Sequence, residues 1–332
     1  MTLTSWKRWS LAGLGLLLAW SGSALLANQR EFPTADHPEV VDHYPARVTQ
    51  FAGGVTGLAD VVYATVPGFR PMVVDIYMPP KAKMRRPLIL FIHGGGWVGG
   101  HTRHSGAMAD FPKVLARLAS EGFVVASLEY RLSGEAPFPA QLQDARAGLR
   151  FLKANAARYG IDTARTGIWG GSAGGHLAAL TALSCGDTSF DLKPAPKGSE
   201  CVQAAVTWYG VFDFAPMLAR TGGDGAGQKL LGCLGPCEVD KIKRVSPVTY
   251  IDSQDPPFLL IHGEEDKTVD VSQSRLAEAQ MKAAGMTVES LYIPGVDHSF
   301  IGKTPKITHA ASIKATNATF NFFHKTLGVP WK

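Results

Sequence analysis

Residues 166–184 read TGIWGGSAGGHLAALTALS. A short apolar run turns at Gly170-Gly171-Ser172-Ala173-Gly174 into an alanine- and leucine-rich stretch that has no glycine or proline after Gly175. Strand, sharp turn and helix are therefore expected to follow one another without a linker. The pentapeptide fits GxSxG, and that pattern arises often by chance. Between a strand and a helix it gains a mechanical meaning. A serine on such a turn lifts its hydroxyl above the sheet, and its neighbours must be glycine-like because larger side chains would collide there.

The chain around this turn alternates strand and helix signals. Strand candidates are Val61–Val66 and Met72–Met78, split by the turn signal PGFRP, then 87–93 (PLILFIH), 123–130 (FVVASLEY), 166–171, 202–210 (VQAAVTWYG), 257–263 (PFLLIHG) and 288–294 (VESLYIP). The run 87–93 is apolar throughout, as a strand covered on both faces must be. Helices are expected from Asp110 to a stop at Gly122, from Pro139 to Gly160, directly after Ser172, over 272–284, and from His309 to His324. Residues 211–246 give no regular signal. Strands joined through helices imply crossover connections and a mainly parallel sheet with helices on both faces, with the chemistry at the carboxyl ends of the strands.

Those ends carry the reactive residues. A serine hydroxyl is a weak nucleophile near neutral pH and needs a base, itself held by a third group. His298, in GVDHSF, follows the strand 288–294, and Asp266, in IHGEEDKTV, follows 257–263. The chain order Ser172, Asp266, His298 suits nucleophile, acid and base on this type of turn. Glu264, Glu265 and Asp270 compete with Asp266 for the acid, and Asp297 adjoins the base. Acyl transfer also needs donors aimed at a developing oxyanion. The N–H of Ala173 is one candidate. The loop HGGGWVGG (93–100) supplies others at Gly94 and Gly95, where side chains are absent. Trp97, Tyr130, Trp208, Tyr209 and Phe300 lie near strand ends and are candidates to line a substrate pocket.

Together HGGGWVGG, DARAGLRFLKANAARYGID, WGGSAGGHLAAL, SPVTYIDSQDPPFLLIHGEEDKTV and PGVDHSF resemble the α/β-hydrolase carboxylesterases related to hormone-sensitive lipase. The pattern is most similar to the bifunctional xylan acetylesterase and feruloyl esterase group, from residue 58 to the C-terminus. The resemblance implies an α/β-hydrolase fold with a mainly parallel eight-stranded sheet. It implies Ser172 as nucleophile, His298 as base, Asp266 as orienting acid, and Gly94, Gly95 and Ala173 as oxyanion donors. No metal or organic cofactor is implied. The expected substrate is a small-molecule or polysaccharide-linked ester with a short acyl, acetyl or feruloyl group. A serine amidase or peptidase of the same fold, and a non-catalytic binding protein on the same scaffold, are the alternatives.

The remaining features place the protein rather than its chemistry. Residues 1–27 have the parts of an export signal: Lys7 and Arg8, an apolar run from Leu11 to Trp20, then Ser21, Gly22, Ser23 and Ala24. Export to the periplasm or medium is expected, with an uncleaved N-terminal anchor as the alternative and no stable membrane partner once the signal is cut. Residues 28–57 read as an irregular arm and 58–332 as the catalytic domain. Four cysteines in an exported chain suggest two disulfides, and local pairing, Cys185 with Cys201 and Cys233 with Cys237, is preferred among three pairings. Of the 332 residues 45% are hydrophobic and 18% charged, which describes a globular chain with a large core. The net charge of +5 comes without any Lys/Arg cluster interleaved with aromatics, which argues against a nucleic-acid partner. His101 and His104 have metal-like spacing but no acidic neighbour in sequence, so no metal site is expected there. Oligomeric state has no signal in the sequence.

Overall fold

The alternation of strands and helices resolves into one mixed sheet in the computed structural model, which describes residues 47–80, 84–192, 197–221 and 225–330. The strands are β1 (Arg47–Phe51), β2 (Val55–Ala64), β3 (Met72–Met78), β4 (Arg86–Ile92), β5 (Val124–Leu128), β6 (Ile161–Gly171), β7 (Ala204–Trp208), β8 (Phe258–Gly263) and β9 (Val288–Ile293). Their order across the sheet is β1-β2-β3-β5-β4-β6-β7-β8-β9. The pairs β1–β2, β2–β3 and β3–β5 are antiparallel, and every pair from β5 through β4 to β9 is parallel. Among the described residues the sheet therefore has nine strands rather than the eight expected. The additional one, β1, comes from the stretch read as an irregular arm, and β2 starts at Val55, also inside it. The signal segment 1–27 and the arm as far as residue 46 lie outside the described residues.

The helices are α1 (Phe111–Ser120), α2 (Ala140–Ala154), α3 (Ala156–Tyr159), α4 (Ala173–Leu183), α5 (Phe214–Thr221), α6 (Ala226–Leu231), α7 (Val239–Val245), α8 (Ser272–Ala283) and α9 (Pro305–Thr326). The side chains of β4 alternate between two cores, as strand geometry requires. Leu88, Leu90 and Ile92 pack with residues of α2, α4 and α8 on one face, while Ile89 and Phe91 pack with α1 and α9 on the other. Burial on both faces explains why β4 is apolar throughout. Asp110 caps α1 as expected, accepting from Lys113 N, and Gly160 closes α3 in the left-handed conformation with φ 71°. Helix α9 begins earlier than the apolar pattern implied, because Thr304 caps it and Pro305 occupies its first turn. The stretch 211–246 holds α5, α6 and α7, each too short for a helical period to stand out. Disulfides join Cys185 to Cys201 and Cys233 to Cys237. Among the described residues no helix is long and apolar enough to cross a membrane.

Candidate active site

Four strand ends converge on Ser172: β6 runs directly into it, β4 leads to the glycine loop, β8 to Asp266 and β9 to His298. Between β6 and α4, Ser172 has φ 56° and ψ −122°. A non-glycine residue rarely adopts that conformation, which costs about 1–3 kcal/mol and persists only where its surroundings enforce it. Here Ser172 N donates to Trp208 O at 2.9 Å and His176 N donates back to Ser172 O at 3.0 Å. The flanking glycines are enforced by close backbone contacts. A Cβ on Gly170 would overlap Gly174 O, and one on Gly174 would overlap Ile92 O. The elbow thus also holds the end of β4 against the start of α4.

His298 Nε2 lies 2.9 Å from Ser172 Oγ, and His298 Nδ1 lies 2.7 Å from Asp266 Oδ2. A carboxylate only accepts, so Nδ1 carries the hydrogen and Nε2 is left to accept from the serine hydroxyl. Asp266 is 5% exposed. Burial pushes its carboxyl up, but hydrogen bonds from His262 and His298, the neighbouring imidazole charge and the Val269 N–H outweigh this and hold it well below the usual carboxylate range. Asp266 Oδ1 accepts from Thr268 N at 2.9 Å and Val269 N at 2.8 Å. Of the competing acids, Glu264 pairs with Arg275, Asp270 accepts from Ser272 N, and Glu265 is exposed. Asp297 Oδ1 accepts from Lys267 N at 2.8 Å and from His298 N at 2.7 Å, joining the loop of Asp266 to that of His298.

The glycine loop lies against Ser172. A Cβ on Gly94 would sit 2.9 Å from Gly171 O and 3.3 Å from Ser172 Cβ, so only a bare backbone approaches this closely. The N–H groups of Gly94, Gly95 and Gly96, and that of Ala173 at the start of α4, have no acceptor among the described residues. Gly95 has φ 110°, and a Cβ there would overlap Gly99 O. The loop is tied down from both sides. His93 Nδ1 donates to Gly94 O at 2.7 Å while its ring stacks on Tyr130, whose hydroxyl donates to His93 O at 3.2 Å. Trp97 Nε1 donates to His176 Nδ1 at 3.1 Å, and His176 Nε2 donates to Val245 O at 2.8 Å. Burial pushes both histidines down to about 4, although the carbonyls they contact act the other way.

The aromatic candidates for a substrate pocket require correction. Trp97, Tyr130, Trp208, Tyr209 and Phe300 are each at most 3% exposed, which leaves no surface for a substrate. Trp97 and Tyr130 support the glycine loop. Trp208 is held in the core by its indole N–H, which donates to Thr319 Oγ1 at 2.9 Å. Phe300 packs on Tyr209 with ring centroids 4.8 Å apart, and Tyr209 in turn lies 4.7 Å from the His298 ring. Trp208, Phe300 and Tyr209 form a series of ring contacts that ends against His298. His101 and His104 have rings 6.1 Å apart, and His101 Nδ1 accepts from Arg103 N. Among the described residues no group of three His, Cys, Asp or Glu is placed to hold a metal ion. One contact had no signal in the sequence: His262, at the end of β8, has Nε2 3.2 Å from Asp266 Oδ2.

Comparison with known proteins places the chain among esterases. The family model BD-FAE matches residues 74–281. Esterase LipQ of Mycobacterium tuberculosis is 31% identical over 270 residues, covering 78% of this chain, while the chain spans 60% of the length of LipQ. Among solved structures, the truncated form of a carbohydrate esterase from gut microbiota aligns with a TM-score of 0.70 and 29% identity, covering 86% of this chain and 100% of the other. The propionate-bound esterase Est2 of Thermogutta terrifontis aligns with a TM-score of 0.66 and 27% identity, covering 86% of this chain and 96% of the other.

Proposed function

The chain belongs to the BD-FAE family, on the α/β-hydrolase fold, and from that membership we propose that it is an exported serine carboxylesterase. Ser172 is the nucleophile, His298 the base and Asp266 the group that orients it. The observation that carries this reading is the unbroken line of hydrogen bonds, 2.9 Å from Ser172 Oγ to His298 Nε2 and 2.7 Å from His298 Nδ1 to Asp266 Oδ2.

In the reaction Ser172 Oγ attacks the ester carbonyl as His298 Nε2 takes its proton. The oxyanion is met by N–H groups of Gly94 and Gly95 and by that of Ala173. Each such donor contributes about 3 kcal/mol to the transition state. His298 then passes its proton to the departing alcohol, which leaves an acyl-enzyme on Ser172. Water, deprotonated by the same nitrogen, releases the acid and restores the serine.

Acetyl, short-chain acyl or feruloyl esters carried on carbohydrate are the proposed substrates. The support is the resemblance to a carbohydrate esterase and to an esterase seen with propionate. Export rests on residues 1–27 and fits the two disulfides, since such bonds persist in oxidising compartments.

The test is labelling by a fluorophosphonate probe together with a hydrolysis panel of p-nitrophenyl acetate to laurate, methyl ferulate and acetylated xylan, with Ser172→Ala as the blank. Hydrolysis of the short or carbohydrate-borne esters, lost in Ser172→Ala, is the expected result. Absence of labelling, or full activity in Ser172→Ala, would sink the reading.

A further inference from the structure

Asp266 carries two imidazoles on one oxygen. His298 Nδ1 reaches Oδ2 at 2.7 Å, and His262 Nε2 reaches the same Oδ2 at 3.2 Å. His262 is wholly buried at the end of β8, where its Nε2 also lies 2.8 Å from Val269 O and its Nδ1 lies 2.7 Å from Ser274 Oγ. A carbonyl oxygen only accepts, so Nε2 must carry a hydrogen, directed between Val269 O and Asp266 Oδ2. Ser274, also wholly buried on α8, sets the ring from behind. The line of polar contacts therefore runs Ser274, His262, Asp266, His298, Ser172, and its first two members lie outside the reacting groups.

The asymmetry of the carboxylate shows why this matters. Oδ1 is fixed by two backbone donors, Thr268 N and Val269 N. Apart from His262, Oδ2 has among the described residues only His298, the very group it must orient and one that is protonated and deprotonated twice in each turnover. An anchor that depends on the moving part is a poor anchor. His262, held by Val269 O and Ser274 Oγ, keeps its Nε2 3.2 Å from Oδ2 and takes no part in the proton transfers.

We propose that His262, backed by Ser274, is a positioning residue for ester hydrolysis: it fixes Asp266 Oδ2 while His298 gains and loses its proton. The proposal rests on the reading of Ser172, His298 and Asp266 given above. It predicts a role in kcat rather than in substrate binding, since neither residue reaches the surface.

The test compares His262→Leu, His262→Gln, Ser274→Ala and the double variant His262→Leu/Ser274→Ala on p-nitrophenyl acetate, with Ser172→Ala and Asp266→Asn alongside. Leucine keeps much of the buried volume but has no donor, whereas glutamine places an amide nitrogen where Nε2 lies. Loss of orientation at this distance from the chemistry should lower kcat by about 30-fold in His262→Leu, with KM within about twofold. His262→Gln should stay within about fivefold of wild type. Ser274→Ala should cost about threefold alone and add nothing to His262→Leu, because it acts only through that ring. The low-field proton resonance of the His298–Asp266 hydrogen bond should shift in His262→Leu and hold its position in His262→Gln, which a purely structural role would not produce.

Unchanged kcat in His262→Leu, equal losses in the leucine and glutamine variants, or additivity with Ser274→Ala would each overturn the proposal. If near-ultraviolet circular dichroism shows His262→Leu unfolded, Ser274→Ala decides, and an unchanged kcat there overturns it. Inactive Ser172→Ala and Asp266→Asn beside a fully active His262→Leu would remove this inference alone. An active Ser172→Ala would remove the site reading on which it rests.

Discussion

Replacing Gly95 by alanine should damage the enzyme in two separable ways, and Gly99→Ala, in the same loop, is its matched control. Gly95 has φ 110°, a region closed to alanine without strain of about 1–3 kcal/mol. Its Cβ would also overlap Gly99 O and stand 2.7 Å from the Gly99 carbonyl carbon, where ordinary contact begins near 3.4 Å, so the loop must yield by about 1 Å. The same loop presents the N–H groups proposed to meet the oxyanion, and a shift of that order should lower kcat by about 100-fold. KM should change little, because the donors act on charge that develops only in the transition state. The strain should lower the thermal midpoint by about 2–6 °C. A Cβ on Gly99 meets nothing within 4 Å, so Gly99→Ala should leave both quantities near wild type. Steady-state kinetics on p-nitrophenyl acetate and a thermal melt of each variant measure both effects. If Gly95→Ala keeps kcat within about threefold of wild type, or Gly99→Ala loses as much, the assignment of this loop to the oxyanion is refuted.

Asp266→Asn should leave the fold intact and lower kcat by about 10⁴-fold on the same substrate, because an amide nitrogen toward His298 Nδ1 favours the wrong tautomer; activity within tenfold of wild type would instead favour one of the neighbouring acids. Burial holds His93 and His176 at about 4 in the folded protein, against about 6.5 in an unfolded chain. Unfolding therefore takes up protons below about pH 6.5, so their contribution to stability is complete above that pH and is lost as the pH falls toward about 4, at up to about 3 kcal/mol per pH unit for the pair. Chemical denaturation across that range should show the slope, and His176→Gln should remove about half of it. The Cys185–Cys201 bond closes a separation of 16 residues and the Cys233–Cys237 bond one of 4. Replacing the first pair by alanine should cost about 3 kcal/mol and the second about 2 kcal/mol, as read from denaturant midpoints, and the reverse order would refute the loop-entropy argument.

Much of the fold could be read in the chain because local chemistry and global position agree. An apolar run such as PLILFIH leaves few options besides a strand covered on both faces, and Gly160 with φ 71° ends its helix where a left-handed residue is needed. The agreement failed where elements were short or depended on a partner. Strand β1 exists because Arg47–Phe51 pairs antiparallel with β2, and its own residues are mostly exposed. Helices α5 to α7 are held by packing rather than by a visible period.

The order of Ser172, Asp266 and His298, the GxSxG turn and the bare backbone of the glycine loop are properties of local sequence, since each follows from what a residue type can do at a strand end. Orientation and burial are not. Whether an aromatic residue at a strand end faces substrate or floor depends on which neighbours reach it from distant elements. Here α4 and α5 meet Trp97, the loop after β4 meets Tyr130, and α9 and the loop after β7 meet Trp208 and Phe300, so that all four are buried completely or nearly so. Gly95 likewise serves the turn as well as the donors, because Gly99 O comes back against it. The second imidazole on Asp266 belongs to the same class. His262 and Asp266 are four residues apart in sequence, yet their meeting on one oxygen depends on how the chain bends after β8, and that bend is set by packing against α8 and the loop that carries His298.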